Sequence, residues 1–174
     1  CRVLVGREGA GEAAAVRVAL ALLPPRSGRG LVDGCDAARH PREARARMGA
    51  LVEMPGFYGR WSGNKNLSIL ARLQGLPANE ARREVGRLLD VVGLANVEEK
   101  PVQAYSQGMR QRLGIAQALI GHPPYILLDE PTNGLDPEGI AEMRSLLKRL
   151  TRDEGVTVML SSHQLQEIAG LCNR

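Results

Sequence analysis

Residues 125–136, YILLDEPTNGLD, decide the fold of this chain. They open with a short apolar run, residues 125–128, of the kind that forms a buried strand. Two carboxylates, Asp129 and Glu130, follow at once, and Pro131 ends sheet pairing because it has no N–H to donate. Open α/β sheets bind ligands at the carboxyl ends of their strands, so the pattern predicts a ligand site at the two acids. Taken alone, the pair of acids also fits a strand followed by a plain polar turn.

The two acids are expected to take different roles. Adjacent residues of a strand point to opposite faces of the sheet, so Asp129 and Glu130 would face different surroundings. One carboxylate would hold a metal ion, and the other would face a reacting water.

A glycine-rich loop lies near the start of the chain, between a predicted strand at residues 1–5 and a predicted helix at residues 13–23. Strand, glycine-rich loop and helix form the layout of a phosphate-binding P-loop, whose pattern is GxxxxGK[ST]. Gly6 and Gly11 stand at the spacing of that pattern, with Gly9 between them. The loop therefore has the backbone layout that cradles phosphate.

Two residues of this loop depart from the pattern: Glu12 stands at the lysine position and Ala13 at the Ser/Thr position. A unit charge near a phosphate is worth roughly 4 kcal/mol at an effective dielectric near 20. Glu12 removes that attraction and adds repulsion, and Ala13 lacks the hydroxyl that would bind magnesium. By itself, the loop equally fits a plain glycine turn.

The composition is that of one soluble globular domain, with 44% hydrophobic and 24% charged residues. The net charge of +4 is spread along the chain, which favours a solvated surface over a nucleic-acid-binding stripe. The three cysteines show neither metal-ligand spacing nor a disulfide framework, which favours a reduced cytosolic setting.

We expect residues 1–174 to form a single, incomplete domain. The chain opens on Cys1 inside a predicted strand, and it stops at Arg174 soon after a motif. No apolar run approaches the roughly 18 residues of a membrane span.

A predicted strand at residues 48–52 ends at Glu53 and leads into an aromatic loop. The loop holds Phe57, Tyr58 and Trp61, three of the five aromatic residues in the chain. It fits either a packed surface loop or a contact patch for a partner.

Two consecutive predicted helices follow, without a strand between them, which suggests an inserted helical lobe at about residues 62–120. Within this range, residues 105–112, YSQGMRQR, stand at the start of an apolar helix. Ser106 is a good N-cap, and the exposed N–H groups of a helix start attract anions. Capping alone explains Ser106, but it does not explain Gly108, a poor helix former in the first turn.

Beyond the opening stretch, Asp136 and Pro137 form an N-cap and first helical residue. A β-branched strand at residues 156–160 then leads into Ser161, Ser162 and His163. If this strand runs parallel to the first, His163 lies on the same rim as the two acids. A histidine at this position is also typical of a cap or surface residue.

In this order, the motifs resemble those of the ATP-binding subunit of an ABC transporter, over essentially the whole chain. Residues 105–137 are similar to the family's signature motif, Walker B motif and D-loop, and the SSH run is similar to its switch histidine. The resemblance is to exporters of the antibiotic-resistance type, whose permease is a separate polypeptide. It implies a P-loop NTPase-like parallel sheet with an inserted helical subdomain.

The resemblance implies a role for each acidic or basic candidate. Asp129 would support Mg²⁺, Glu130 would polarise the attacking water and His163 would contact the γ-phosphate. Asp136 would couple the two nucleotide sites. Glu53 stands where the family usually has the metal-contacting Q-loop glutamine.

The resemblance also implies the nucleotide-binding positions, which are Gly6, Gly9, Gly11, Glu12, Ala13, Ser106, Gly108 and Asp136. The first five form a degenerate Walker A motif in the chain's own site. Ser106 and Gly108 would face a nucleotide bound to the partner subunit. We therefore expect a chain that completes a partner's site while binding ATP poorly itself.

The cofactors implied are ATP and Mg²⁺. The partners implied are an integral-membrane permease and a second ATP-binding subunit, in a homo- or heterodimer, with no nucleic acid. The location implied is the cytoplasmic face of the cell membrane. A degenerate binding subunit, or a gene fragment without ATPase activity, is the alternative that Glu12 and Ala13 favour.

Overall fold

The computed structural model describes residues 2–4, 17–18, 20, 22–25, 27–52 and 56–162 of the chain. Its centre is a parallel sheet of four strands in the order β1-β6-β5-β4. These strands are β1 (Arg2–Leu4), β4 (Met48–Leu51), β5 (Tyr125–Asp129) and β6 (Thr157–Ser161). A separate antiparallel pair joins β2 (Leu31–Val32) to β3 (Cys35–Asp36). The predicted α/β class with a parallel sheet is confirmed.

Strand β5 is central because its side chains are apolar on both faces. Ile126, Leu127 and Leu128 are almost fully buried, as expected of a parallel strand covered on both sides. Its register places Asp129 opposite Ser161 of β6, so the two strands end together.

The described residues include five helices with defined bounds. They are α1 (Pro41–Ala46), α2 (Gly63–Leu73), α3 (Ala78–Val91), α4 (Gln107–Leu119) and α5 (Pro137–Asp153). Two 3₁₀ turns, Ala95–Val97 and Val102–Ala104, connect α3 to α4.

Helices α2, α3 and α4 pack on one another through apolar side chains that the solvent does not reach. Leu67, Leu88 and Leu113 each have 0% exposure, and burying a leucine side chain contributes about 1.5–3 kcal/mol. The Ser62 hydroxyl accepts a hydrogen bond from the Lys65 N–H and so fixes where α2 begins.

A glycine sets how closely α4 approaches the sheet. A Cβ atom added at Gly49 of β4 would lie 1.7 Å from the carbonyl oxygen of Ala118 in α4. Because no larger residue fits there, Gly49 determines the position of α4, and α4 carries the candidate residues at its opposite end.

The helix predicted at residues 13–23 ends earlier than expected. Arg17 and Val18 are helical, but Leu22 and Leu23 lie in bends, and both of their N–H groups donate to the Arg17 carbonyl oxygen. Pro24 is the physical reason, because a proline disfavours helical backbone in the residue before it. Residues 5–16, which include the glycine-rich loop, lie outside the described residues.

None of the helices in the described part of the chain has the length and apolar character of a membrane span.

Candidate functional site

The carboxyl ends of β5 and β6 bring an acid and a hydroxyl together. The Ser161 hydroxyl donates a hydrogen bond to Asp129 Oδ1, in the register where the two residues are direct neighbours. Ser161 is only 3% exposed, whereas Asp129 is half-buried at the sheet edge. The serine therefore orients the carboxylate that sequence analysis assigned to Mg²⁺.

Glu130 lies beyond the end of the strand, so strand alternation was the wrong reason to separate the two acids. Its φ of 48° is in the left-handed region, which costs a non-glycine residue about 1 kcal/mol or more. Its N–H donates to the Ser161 carbonyl oxygen at 3.2 Å and approaches the Ser161 hydroxyl at 3.3 Å. The backbone turn at Glu130, held by Ser161, sets this acid apart from Asp129.

The segment after the acids, residues 132–136, forms a tight loop that we call the D-loop segment. The Asn133 N–H donates to the Glu130 carbonyl oxygen, and the Leu135 N–H donates to that of Thr132, each at 3.1 Å. Gly134 has a φ of +71°, a conformation that glycine adopts without strain.

The two predicted N-caps are confirmed. Ser106 Oγ accepts from the Met109 N–H at 3.2 Å, and Asp136 Oδ1 accepts from the Gly139 N–H at 2.9 Å. Pro137 is the first residue of α5, as predicted. Each cap satisfies one of the N–H groups that a helix start leaves without a partner inside the helix.

Gly108 is not required by packing within the described chain. A Cβ added there would meet only Leu135 Cδ2, at an ordinary contact distance of 3.5 Å. The absence of a side chain therefore leaves open space beside the first turn of α4, which fits the expectation that a ligand approaches the backbone there.

Ser106, Gly108 and Asp136 line one groove of about 500 Å³ between the start of α4 and the start of α5. The groove walls also carry Glu138 and Glu142. Two helix N-termini thus open onto the same space, and their partial positive charges attract anions.

The side chains around this groove carry more negative than positive charge, which repels anions. Three carboxylates, those of Asp136, Glu138 and Glu142, face one guanidinium, that of Arg112. Arg112 is already paired with Glu142 at 2.7 Å. An anion in the groove would therefore depend on backbone N–H groups and on positive charge brought by another molecule.

Tyr105 anchors the residue before the Ser106 cap. Its ring is buried, and its hydroxyl donates to the Val97 carbonyl oxygen at 2.9 Å. Burial raises the pKa of Tyr105 above its ordinary value, with smaller electrostatic contributions from Glu98 and Glu99 in the same direction.

The residues at the sheet edge fit a magnesium ion of the kind that nucleotides carry. Mg²⁺ is usually held by one or two carboxylates together with waters and phosphate oxygens, and Asp129 supplies such a carboxylate beside the Ser161 hydroxyl. Across the part of the chain that the structure covers, no three His, Cys, Asp or Glu side chains gather into a metal-binding group.

Several predicted site residues fall outside the described residues. They are Gly6, Gly9, Gly11, Glu12, Ala13, Glu53 and His163. Their predicted roles stay predictions.

Two contacts were missed by sequence analysis, those of Ser161 with Asp129 and of Gln107 with the Asn133 carbonyl oxygen. The position of Ser161 at the end of the strand after β5 was the available signal for the first contact.

The aromatic loop holds a tilted pair of rings, Tyr58 and Trp61, whose planes form an angle of 34°. The Tyr58 and Trp61 ring centroids lie 4.3 Å apart, and the Lys65 ammonium lies 4.4 Å from the Trp61 ring centroid. Asn66, which is buried, accepts from the Tyr58 N–H at 2.9 Å and donates to its carbonyl oxygen at 3.1 Å. The backbone at Tyr58 is therefore held in place, while the Tyr58 side chain is 64% exposed.

Comparison with known proteins identifies relatives of this arrangement. The family model described as ABC transporter matches residues 1–133. The chain is 43% identical over 167 residues to the bacitracin transport ATP-binding protein BcrA of Bacillus licheniformis, covering 96% of this chain and 54% of that protein. It is 37% identical over 170 residues to the lantibiotic transport ATP-binding protein SrtF of Streptococcus pyogenes, covering 98% of this chain and 71% of that protein.

A solved structure shares the fold. CbiO1 from Clostridium perfringens, part of the ABC transporter complex CbiONQ, matches with a TM-score of 0.90 and 28% identity, covering 99% of this chain and 70% of that one. The chain spans about half the length of the bacitracin transport proteins that it matches.

Proposed function

Since this chain belongs to the ABC transporter family, we propose that it is the ATP-binding subunit of an exporter and that a separate membrane permease moves the substrate. Nucleotide binding follows from the family. We propose in addition that the nucleotide is ATP with Mg²⁺, that the chain acts in a dimer and that a permease is its partner.

The observation that carries the proposal is the groove in which Ser106 and Asp136 cap two helices that start side by side. In this family, each ATP lies between the Walker motifs of one subunit and the signature motif of the other. The N–H groups at the start of α4 would bind the phosphates of a nucleotide held by the partner subunit. The carboxylates of the groove would then face the positive charge that the partner brings.

The sheet edge supplies the groups for this chain's own nucleotide. Asp129, oriented by Ser161, would hold Mg²⁺, and Glu130 would orient the attacking water and receive its proton. When bound, Mg²⁺ would supply the positive charge that compensates the phosphates. His163 and Glu53 would complete this site at the γ-phosphate and the metal.

The two nucleotide sites of the dimer would be unequal. Glu12 and Ala13 weaken the site that uses this chain's own Asp129 and Glu130, whereas the groove with Ser106 serves the opposite site. The chain would then complete a working site on a heterodimer partner. The alternative, a catalytically degenerate binding subunit or gene fragment without ATPase activity of its own, is favoured by the same two residues.

The permease would dock on the aromatic loop at Tyr58 and Trp61, which the family places beside its coupling helix. A fixed backbone at Tyr58, an exposed Tyr58 ring beside the partly buried Trp61 and one cation suit a helix end that carries apolar and acidic groups. Docking there would hold the subunit on the cytoplasmic face of the membrane.

The test mixes this chain with a partner ATP-binding subunit that has an intact Walker A motif but lacks its own signature serine. The proposal expects ATPase activity to rise on mixing, because Ser106 completes the partner's site. The Ser106→Ala variant is the matched control and should give little or no rise. No rise with the native chain, or an equal rise with both, would contradict the proposal.

The state of the chain's own site is tested by MgATP affinity, comparing the native chain with the Glu12→Lys/Ala13→Thr double variant. Much tighter binding by the variant would assign the weakness to the two side chains. Equal MgATP affinities of the native chain and the double variant would show that Glu12 and Ala13 are not the cause of weak binding.

A further inference from the structure

The side chain of Gln107 joins the start of α4 to the D-loop segment. Gln107 is the first residue of α4, directly after the Ser106 cap. Its Nε2 donates to the Asn133 carbonyl oxygen at 2.8 Å, across 26 residues of sequence. This distance is that of a well-formed hydrogen bond.

The Gln107 amide lies directly against the backbone of Gly134. A Cβ atom at residue 134 would be 2.4 Å from Gln107 Nε2 and 3.0 Å from its Cδ. Gly134 also has a φ of +71°. Glycine is therefore needed here for the backbone conformation, and a side chain at residue 134 would displace the Gln107 amide from this position.

The residues after Gly134 extend the contact between the D-loop segment and the start of α4. Leu135 packs against the main apolar core and approaches the Gly108 position, while Asp136 caps α5. The residues from 133 to 135 thus lie against the first two residues of α4. The Gln107 amide supplies the polar link of this contact, and the leucine supplies the apolar one.

The chemistry of the amide suits this position. A glutamine donates without carrying charge, whereas a glutamate would have no N–H to offer the Asn133 carbonyl oxygen. The groove beside it already carries three carboxylates, so a fourth would oppose an incoming phosphate.

We propose that Gln107 is a positioning residue that holds the D-loop segment against the start of α4, so that Ser106 and Asp136 meet the partner's nucleotide as one unit. The second half of this proposal rests on the proposed function, whereas the first half concerns this chain alone. The two halves are therefore tested by different measurements.

The first measurement is amide hydrogen exchange by NMR in the Gln107→Met variant, which keeps the length of the side chain and removes the donor. The Asn133 and Leu135 amides, both hydrogen-bonded within the loop, are expected to exchange about threefold to tenfold faster, the effect of losing one hydrogen bond. The Met109 amide, bonded to the Ser106 hydroxyl, should keep its rate because the cap is retained.

Gln117→Met is the matched control, the same change on the same helix but at the wall of a different groove. It should leave the Asn133 and Leu135 amides unchanged. Unaltered exchange at these two amides in Gln107→Met would overturn the positioning role.

The second measurement repeats the mixing assay with Gln107→Met. The proposal expects a lower kcat in the partner's site with a nearly unchanged KM for ATP, because the groups remain present but are less well positioned. Faster exchange with unchanged kcat would overturn the link to the partner's site. If the native chain itself gives no rise on mixing, the proposed function fails and the link to the nucleotide fails with it, but the exchange result stands independently.

Discussion

The Ser161 hydroxyl donates a hydrogen bond to the Asp129 carboxylate and thereby joins the ends of two neighbouring parallel strands. The same serine accepts from the Glu130 N–H, through its carbonyl oxygen and more weakly through its hydroxyl. One buried serine therefore binds the carboxylate of the first candidate acid and the backbone N–H of the second, although it is 32 residues away from the first of them.

Replacing this serine should destabilise the fold. Ser161→Ala removes the donor to Asp129 and leaves a partly buried carboxylate without it, so we expect the free energy of unfolding to fall by about 1–3 kcal/mol. Urea denaturation measures the change. Ser145→Ala is the control, because the Ser145 hydroxyl is exposed and bonds only within its own helix. Equal effects of the two variants would rule out a special role for Ser161.

The local features of the site could be predicted from the sequence because their chemistry is local. An apolar run before two acids predicts the end of β5, and Ser106 and Asp136 cap helices with N–H groups only three residues further on. Such contacts depend on neighbouring residues alone.

The contacts of Ser161 and Gln107 could not be predicted in this way, because they depend on strand order and helix packing. Ser161 meets Asp129 only because β6 is the parallel neighbour of β5 in this register. The left-handed backbone of Glu130 was likewise not predicted, since glutamate rarely adopts it and the surrounding hydrogen bonds impose it.

A methyl group at Gly49 should disrupt the packing of α4 on the sheet. Gly49→Ala would place Cβ 1.7 Å from the Ala118 carbonyl oxygen, a backbone atom, so strand and helix must separate. We expect a loss of about 3 kcal/mol or more, measured by urea denaturation.

The matched control for Gly49→Ala is Gly86→Ala, for which we expect a gain in stability instead of a loss. A Cβ at Gly86, inside α3, would meet nothing within 4 Å. Gly86→Ala should therefore stabilise the chain by about 0.5–1 kcal/mol, through the higher helix propensity of alanine. A destabilising Gly86→Ala would contradict the open space at that position, and a neutral Gly49→Ala would contradict the close contact of β4 with α4.

Removing the Tyr105 hydroxyl should cost stability in a manner that depends on pH. Tyr105→Phe loses the hydrogen bond to the Val97 carbonyl oxygen, worth about 1 kcal/mol at neutral pH. Because burial raises the pKa of Tyr105 in the folded chain, its contribution is complete below the ordinary tyrosine pKa of about 10 and is lost as pH rises through the folded value.

Urea denaturation at several pH values checks this dependence. The difference between the native chain and Tyr105→Phe should be constant at neutral and mildly basic pH and should shrink above about pH 10. Tyr58→Phe, at an exposed ring, should leave stability unchanged throughout. If the stability difference between the native chain and Tyr105→Phe grew at alkaline pH, burial would not be the cause of the raised Tyr105 pKa.

Arg87 links helix α3 to the turn before β6, because its guanidinium lies between the carboxylates of Glu84 and Glu154. Arg87 donates to both carboxylate oxygens of Glu84, at 3.0 and 3.1 Å, and lies 2.5 Å from a carboxylate oxygen of Glu154. The hydrogen bonds to Glu84 raise the pKa of Arg87 most, and those to Glu154 act in the same direction. Glu84 is only 8% exposed, and its carboxylate also lies 3.2 Å from a ring nitrogen of His122.

Arg87→Ala should therefore destabilise the chain, because it leaves the buried Glu84 carboxylate without its guanidinium partner. We expect a loss of about 2–3 kcal/mol, below the value for a fully buried pair because about a third of the Arg87 side chain is exposed to screening solvent. Arg152→Ala is the control: Arg152 also contacts a carboxylate, that of Asp153, at 2.7 Å, but both side chains are largely exposed. Its urea midpoint should not move. Equal midpoint shifts for the two variants would show that burial of Glu84 does not decide the strength of the Arg87 link.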